Sequence, residues 1–413
     1  MTTNVGEITI LRNGRVFDGR SFLDGPRDVI LEDGHISEVI PSGQGIEYSP
    51  QGVMEVNCSG KTILPGFIDC HVHLMTNKYN PALNALEPFS YAYYQSVRNA
   101  EAMINSGVTS ARDLAGADAG MKDAIAAGVI AGPRLSTSIN ALSITGGHAD
   151  NWLRSGVEYH VINSNSPGKP SGIADGIDQV RKVTRQMFRA GADVIKICAT
   201  GGVLSTTDHP HHSQFSLDEI RVVVEEAHAH GSYVAAHAIG AEGIKNALRG
   251  GVKSIEHAIY LDDEAIELML EHDAYVVPTL TAPRNVIEYG HDLPTQMVDK
   301  AKEVVEKHVS SLIMAVEAGV KIAMGSDAGV GPHGHSLDEL SAMAECGMSL
   351  EQVLASATSV ASELFPSDWK IGRLKPGYFA DILLVDTELT ATSQLKDLTN
   401  TVEQVWQQGK RVR

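Results

Sequence analysis

Basic residues are scarce beside acidic ones: 33 Lys and Arg against 51 Asp and Glu, a formal net charge of −18. Nucleic acid and anionic membrane both select a basic face, so neither is expected as a partner. Cysteine is nearly absent. The four thiols, Cys58, Cys70, Cys198 and Cys346, include no CxxC pair, which disfavours a disulfide framework and fits reduced, buried thiols in a cytoplasmic protein. No apolar run reaches the length of a membrane span. The opening MTTNVGEITILR lacks the basic start and apolar stretch of a secretory signal. What is present reads as globular: 43% hydrophobic and 20% charged residues argue against disorder, and 413 residues can hold a large core and more than one domain.

The stretch around which the rest is organised is Ile63-Leu64-Pro65-Gly66-Phe67-Ile68-Asp69-Cys70-His71-Val72-His73. It reads as an apolar strand ending in His-x-His. Side chains two apart on a strand share a face, so His71 and His73 point the same way, while Cys70 and Val72 turn from them. Two neutral imidazoles so placed suit a divalent transition metal.

Residues 7–60 show short β-rich runs (Ile8–Leu11, Val29–Leu31) separated by the turn pairs Asn13-Gly14, Asp24-Gly25 and Asp33-Gly34. The C-terminus repeats this style at Ile382–Val385 and Val402–Trp406. Neither end has apolar surface enough for its own core, so both are expected to pair into one β-sandwich formed by residues 1–64 and 366–413. Between them, residues 65–365 alternate strands and helices. Strand-like cores at Val108–Arg112, Arg134–Ser138, Val194–Cys198, Tyr233–His237, Ser254–His257, Tyr275–Pro278 and Lys321–Ser326 join Ile63–His71 to make eight. Helix starts are marked by Ser216-Leu217-Asp218-Glu219, Ser336-Leu337-Asp338-Glu339 and Ser349-x-x-Gln352, each patterned as a capping box. Eight βα units predict an α/β fold, a (β/α)8 barrel rather than a doubly wound sheet. The candidate site residues come from many strand ends, and Gly146-Gly147 and Gly201-Gly202 make no phosphate-binding fingerprint.

Lys196 lies inside the apolar Val194-Ile195-Lys196-Ile197, and a buried lysine is costly unless neutralised or paired. His237 and His257 end predicted strands, and Asp327 follows another. Taken singly, each reads as a hydrogen-bonded core histidine or a turn aspartate. Together with the His-x-His they gather at the strand C-termini, the face where barrel enzymes keep their sites.

With these residues in place the chain resembles the amidohydrolase superfamily along essentially its whole length. The likeness rests on Leu64–His73, the Lys196 strand with Thr200-Gly201-Gly202, His237, Ile255-Glu256-His257, Gly325-Ser326-Asp327-Ala328-Gly329 and the tail Gly372–Asp381. The resemblance implies two divalent ions, usually Zn2+, bridged by a CO2-derived carbamate on Lys196. His71, His73 and Asp327 would hold one ion, and His237 and His257 the other. It also implies hydrolysis of a C–N acyl bond by a metal-bridging hydroxide, with Asp327 as proton shuttle.

Within the superfamily the chain is most similar to the metallo-dipeptidase and imidazolonepropionase-like group, through Thr145-Gly146-Gly147-His148 and Ser205-Thr206-Thr207-Asp208. By that likeness His148 joins Asp327 and Lys196 among the catalytic candidates and contacts substrate. One departure stands out: many dipeptidases of the group carry Tyr two residues after the fifth-strand histidine, and here that position is Ile239. Dipeptide specificity is thereby put in doubt, and an apolar or aromatic group beside the scissile bond is expected. Alternatives on the same centre are ester, carbamate or lactam hydrolysis. A mononuclear deaminase would place Glu where Gly240 stands and would leave Lys196 redundant; a non-catalytic scaffold would have lost ligands. The substrate is expected to be a small molecule, and the sequence leaves a homo-oligomer open. The His209-Pro210-His211-His212 cluster reads as a solvated loop.

Overall fold

The computed structural model describes residues 8–44, 52–76, 86–152, 155–156 and 166–413. The first seven residues of the expected N-terminal segment lie outside the described residues. Five strands come first along the chain: β1 (Ile8–Val16), β2 (Arg27–Glu32), β3 (His35–Pro41), β4 (Val53–Asn57) and β5 (Thr62–Pro65). Then follow β6 (Phe67–Val72), β7 (Val108–Asp113), β8 (Arg134–Thr137), β9 (Ala141–Leu142), β10 (Ile195–Cys198), β11 (Val234–Ala238), β12 (Ser254–His257), β13 (Tyr275–Val277) and β14 (Lys321–Ile322), with helices interleaved. The last three are β15 (Ile382–Val385), β16 (Val402–Gln407) and β17 (Lys410–Arg411).

The two chain ends do pair. They form one sheet in the order β17-β16-β15-β5-β1-β2-β3, with β4 beside β1. The seam is β5 against β15, where Ile63 faces Leu384 and Leu64 faces Leu383. Alternation divides these strands between two cores. Ile63, Ile382 and Leu384 pack with Leu11, Val29 and Trp406, while Leu64, Leu383 and Val385 pack against the α/β part. An Arg134–Asp381 ion pair at 2.7 Å ties the two regions together.

The middle of the chain is α/β, with parallel strands in two runs, β6-β7-β8 and β14-β13-β12-β11-β10-β9. Three expectations need correction here. The single strand expected over 63–71 is two, β5 and β6, broken at Gly66. Pro65 carries no amide hydrogen for a ladder, and a Cβ on Gly66 would stand 2.1 Å from Thr109 Oγ1. The strand expected over 321–326 keeps ladder pairing only at Lys321 and Ile322; beyond them the backbone bonds to β6 instead, with Cys70 N donating to Met324 O at 2.9 Å and Asp327 N to His71 O at 2.8 Å. The two-residue β9 was not expected, being too short to show a period.

Of the three predicted capping boxes, Ser216 with Glu219 and Ser349 with Gln352 form reciprocally. The third does not. Ser336 bonds Ser326 instead, and the helix Asp338–Glu345 starts without a side-chain cap. Glu339 is buried, and its carboxylate accepts from the Leu280 and Thr281 amides at 2.7 and 2.9 Å, at the start of the helix Thr281–Tyr289. A carboxylate is favourable at a helix N-terminus, so the pattern served a neighbouring helix.

Candidate active site

Five of the imidazoles that line one cavity form a chain of ring contacts. His73 and His71 are 5.2 Å apart by centroid, His71 and His257 5.0 Å, His257 and His237 4.7 Å, and His237 and His148 4.3 Å. Lys196 and Asp327 line the same cavity. His71, His257 and Asp327 each offer a ligand atom, all within 4.8 Å of one another. Asp327 Oδ1 lies 3.3 Å from His73 Nε2 and 3.6 Å from His71 Nε2, buried and without a well-formed hydrogen bond. A buried carboxylate oxygen left free among imidazole nitrogens is a donor set that suits a divalent ion. The residues singled out from the sequence as ligands are therefore gathered in one place.

Strand ends aim these groups. His71 closes β6, His237 sits in β11 and His257 ends β12, in register with Ala238 of β11. At the same rim Ala115, His257, Thr279 and Asp327 all have positive φ, from 52° to 140° with Ala258 included. Such backbone is strained for residues with a Cβ and is tolerated where the surroundings over-determine it. Each histidine is fixed through its second nitrogen: His71 Nδ1 to Glu256 (2.8 Å), His73 Nδ1 to Ala115 O (2.9 Å) and His257 Nδ1 to Thr279 Oγ1 (2.7 Å). That arrangement directs the Nε2 atoms of His71 and His73 toward Asp327 and is the usual orientation for metal-binding imidazoles. His237 Nε2 instead meets Gly201 O at 3.1 Å.

The electrostatics favour neutral donors at three of the histidines, whereas at His73 burial is outweighed by Asp327 and the imidazole is raised above its ordinary range. Burial, with Lys196 adding to it, holds His71 well below the ordinary histidine range, and burial does the same for His237 and His257. Burial also lowers Lys196, although Glu256 pulls the other way. For Asp327 burial favours the neutral acid, but the neighbouring His71 and His73 outweigh it and keep the carboxylate ionised to lower pH. Cys198 lines the cavity as a thiol, pushed up to about 12 by burial. Cys70 packs with Ile68 and Ala361 away from the histidines, as strand alternation predicts.

Sequence reading passed over the layer beneath. Glu256 is fully buried; besides His71 it accepts from Arg112 Nη2 at 2.9 Å and Ser254 Oγ at 2.7 Å. Arg112, also fully buried, reaches Cys70 O at 2.6 Å and Tyr233 Oη at 2.9 Å. For Glu256 a signal was available, a charge beside Ile255 in a short strand ending at His257; Arg112 lies in the polar run Val108-Thr109-Ser110-Ala111-Arg112-Asp113, which offered none. His308, from the helix Thr295–Ala318, lines the cavity too and was not foreseen.

The remaining wall is aliphatic. Val203, Leu204, Ile239, Ile259, Val286 and Val330 line the cavity, and Ile239 is buried within their cluster. His148 lines the cavity beside the loop that carries Val203 and Leu204, its Nδ1 3.1 Å from Asp208 Oδ2. In the 209–212 cluster His211 and His212 are exposed, and His211 rests on Tyr260 outside the cavity. Gly240 precedes the helix Ala241–Arg249, and a Cβ on it would stand 2.8 Å from Pro210 O, leaving no room there for a catalytic carboxylate.

The fold and this site define a class. The profile of the Amidohydrolase family matches residues 62–412, and the chain belongs to that family as a hydrolase acting on C–N bonds. It is 35% identical over 368 residues to ochratoxinase of Aspergillus niger, covering 84% of this chain and 75% of that one. Among solved structures, a prolidase complexed with N-methylphosphonate-L-proline superposes with a TM-score of 0.89 at 36% identity, covering 98% and 99% of the two chains. A Xaa-Pro dipeptidase with methionine in its active site gives 0.88 at 31%, covering 98% and 100%. The expected likeness to the dipeptidase group is borne out. Among the described residues no helix is long and apolar enough to cross a membrane.

Proposed function

We propose that the protein hydrolyses a C–N acyl bond in a small molecule, an amide, dipeptide or N-acyl amino acid, at a centre of two divalent ions, with zinc as the expected metal. The observation that carries this reading is the convergence of His71, His257 and Asp327 within 4.8 Å, in the cavity that also holds buried Lys196. His71, His73 and Asp327 would hold one ion, His237 and His257 the other, and a carbamate on Lys196 both. Burial favours the neutral Lys196 amine, whose lone pair can take up CO2, and the resulting carbamate is an anion with two oxygens to share. When bound, such a pair of ions lowers the pKa of water toward neutrality and polarises a carbonyl.

The chain's own residues do the rest. Asp327, ionised and with Oδ1 unengaged, accepts the proton of the attacking water and delivers it to the leaving nitrogen. An amide needs that delivery, because an unprotonated amide anion is a very poor leaving group. Glu256, anchored by Arg112, fixes the His71 tautomer. His148 contacts the substrate from the cavity lining beside Val203 and Leu204. We further propose that residues 65–365 close into a (β/α)8 barrel, supported by the hydrogen bonds from β6 to residues 324–328. Residues 1–64 and 366–413 would then form a sandwich, a reading supported by β1 pairing with β2 and β4 through its first part and with β5 through its last.

The aliphatic wall around Ile239 favours an apolar or aromatic group beside the scissile bond over a small polar dipeptide. The likeness to prolidase structures favours the dipeptide reading. Metal-loaded protein assayed against N-acyl amino acids, aryl amides and Xaa-Pro dipeptides decides between them. Higher kcat/KM on apolar N-acyl compounds is expected, and Xaa-Pro dipeptides as the best substrates would overturn the substrate choice. No turnover of any amide by protein with full metal occupancy would overturn the reaction class.

A further inference from the structure

One ring of the cavity is carried by a loop rather than by a strand. His148 lies flat on His237, at 4.3 Å between centroids and 19° between planes. Its other side meets backbone: a Cβ on Gly202 would stand 2.1 Å from the His148 ring, so only glycine fits beneath it. In the plane of the ring, Nδ1 is 3.1 Å from Asp208 Oδ2. Gly202 and Asp208 belong to one loop after β10, and that loop is braced. Gly202 N donates to Asp208 Oδ1 at 3.2 Å. Lys300, reaching across from the helix Thr295–Ala318, donates to Gly202 O and Ser205 O at 2.7 Å and to Asp208 O at 3.0 Å. An ammonium has three hydrogens, and all three serve carbonyls of this loop. Its charge also lies 3.7 Å from Asp208 Oδ1.

We infer that Gly202, Asp208 and Lys300 are positioning residues that hold the His148 ring against His237 and leave its Nε2 to meet the substrate; the last clause rests on the reading of His148 as a substrate contact. The logic is that of a side chain fixed by its partners. An imidazole on a loop has two rotatable bonds, and only a ring already in place contributes to a reaction without being ordered during it. Asp208 engages one nitrogen and so sets which nitrogen is free. Lys300 acts one step further back, by fixing the loop that carries Asp208. The same loop carries Val203 and Leu204 into the aliphatic wall, so one lysine positions both the polar and the apolar contacts of this side of the cavity.

Two measurements test this. Crystal structures of Asp208→Asn and Lys300→Met report the ring directly: a His148 ring displaced from His237 in both is expected, and a ring still stacked in both overturns the inference. In kinetics with metal-loaded protein and N-acetyl-L-phenylalanine as probe, Asp208→Asn is expected to lower kcat/KM by about 10–100-fold, the range for removing an orienting partner. His148→Gln should lose as much, and the double variant no more than either. Losses that multiply in the double variant would overturn it, because residues acting as one unit do not add. His148→Gln with wild-type kinetics, alongside a displaced ring in the Asp208→Asn crystal, would sink the substrate-contact reading and leave the positioning role standing.

Discussion

On the floor of the cavity, His71, His257 and Asp327 hang from backbone that is hydrogen-bonded strand to strand, with Glu256 and Arg112 buried beneath them. On the outer wall, His148, Val203 and Leu204 come from loops, and one lysine of a distant helix holds the loop after β10 in place. The floor is rigid because its backbone has no other way to satisfy its donors and acceptors. The wall is adjustable, since its form depends on a few side-chain bonds that a substitution can alter without disturbing a sheet. On the proposed reading, reaction chemistry is built into the part that cannot change cheaply, and substrate choice into the part that can.

That contrast is broken most severely by touching the floor. Asp327→Asn keeps an oxygen to coordinate but cannot accept and return a proton, so kcat should fall by about 10²–10⁴-fold while much of the metal stays. Turnover against metal content by elemental analysis checks it; near-normal turnover in a fully metallated variant would remove the shuttle. Lys196→Ala should lose both metal and turnover, and added short-chain carboxylic acid should restore part of each by replacing the carbamate oxygens. Full metal occupancy in the unrescued variant would mean that Lys196 is no ligand.

Arg112→Met separates floor from wall by stability. It removes the guanidinium from fully buried Glu256 and leaves only His71 and Ser254 beside that carboxyl, and breaking a buried pair in this way costs about 3–5 kcal/mol. Urea denaturation of metal-free protein should register that loss. Lys300→Met, in contrast, should cost less, about 1–3 kcal/mol, because its partners are neutral loop carbonyls rather than a fully buried charge. Equal losses for the two would erase the distinction between the regions.

Glu339 extends the comparison to pH. Burial lifts its carboxyl from 4.5 to about 7, so the folded state holds a proton that the unfolded state has released. Stability should therefore fall as pH rises between about 4.5 and 7, by at most ~3 kcal/mol at 1.36 kcal/mol per pKa unit. Glu339→Gln keeps an acceptor for the Leu280 and Thr281 amides and should flatten that slope. An unchanged slope in the variant would assign the pH dependence to other groups, such as Asp69, raised to about 6 by burial.

How much of this was legible follows the same division. The His-x-His, Lys196, His237, His257 and Asp327 could be read because a polar residue at the end of an apolar strand violates the local pattern. Period and caps placed most strands and two of three helix starts. The Ser336–Glu339 box misled because the pattern is local, while the helix that used Glu339 begins at Thr281, far away in sequence. Glu256 was missed because the adjacent His257 already explained the motif, and Arg112, with Thr109, Ser110 and Asp113 in the same strand, violated no pattern. Lys300 could not be read at all: a lysine on an amphipathic helix looks like any solvated lysine until the fold brings three loop carbonyls to it.

The smallest effect concerns the wall alone. Ile239 is buried with Val203, Ile259 and Val286 beside it, and its amide donates to Thr200 Oγ1 at 2.9 Å. Ile239→Tyr adds volume to a filled cluster, which costs typically about 1–3 kcal/mol unless the ring turns into the cavity. If it turns, its hydroxyl meets the substrate and supplies a partner for a polar or carboxylate group that the wild-type wall leaves unpaired. A hydrogen bond of that kind is worth about 1–1.5 kcal/mol, so kcat/KM should shift toward Xaa-Pro dipeptides, relative to apolar N-acyl amino acids, by about tenfold. The absolute rate on the apolar compounds should fall at the same time, because the ring occupies their space. Measuring both substrates on both proteins separates the two effects. A substrate ratio that stays put while both rates fall together would show that Ile239 only fills space, and that the polarity of this wall does not choose the substrate.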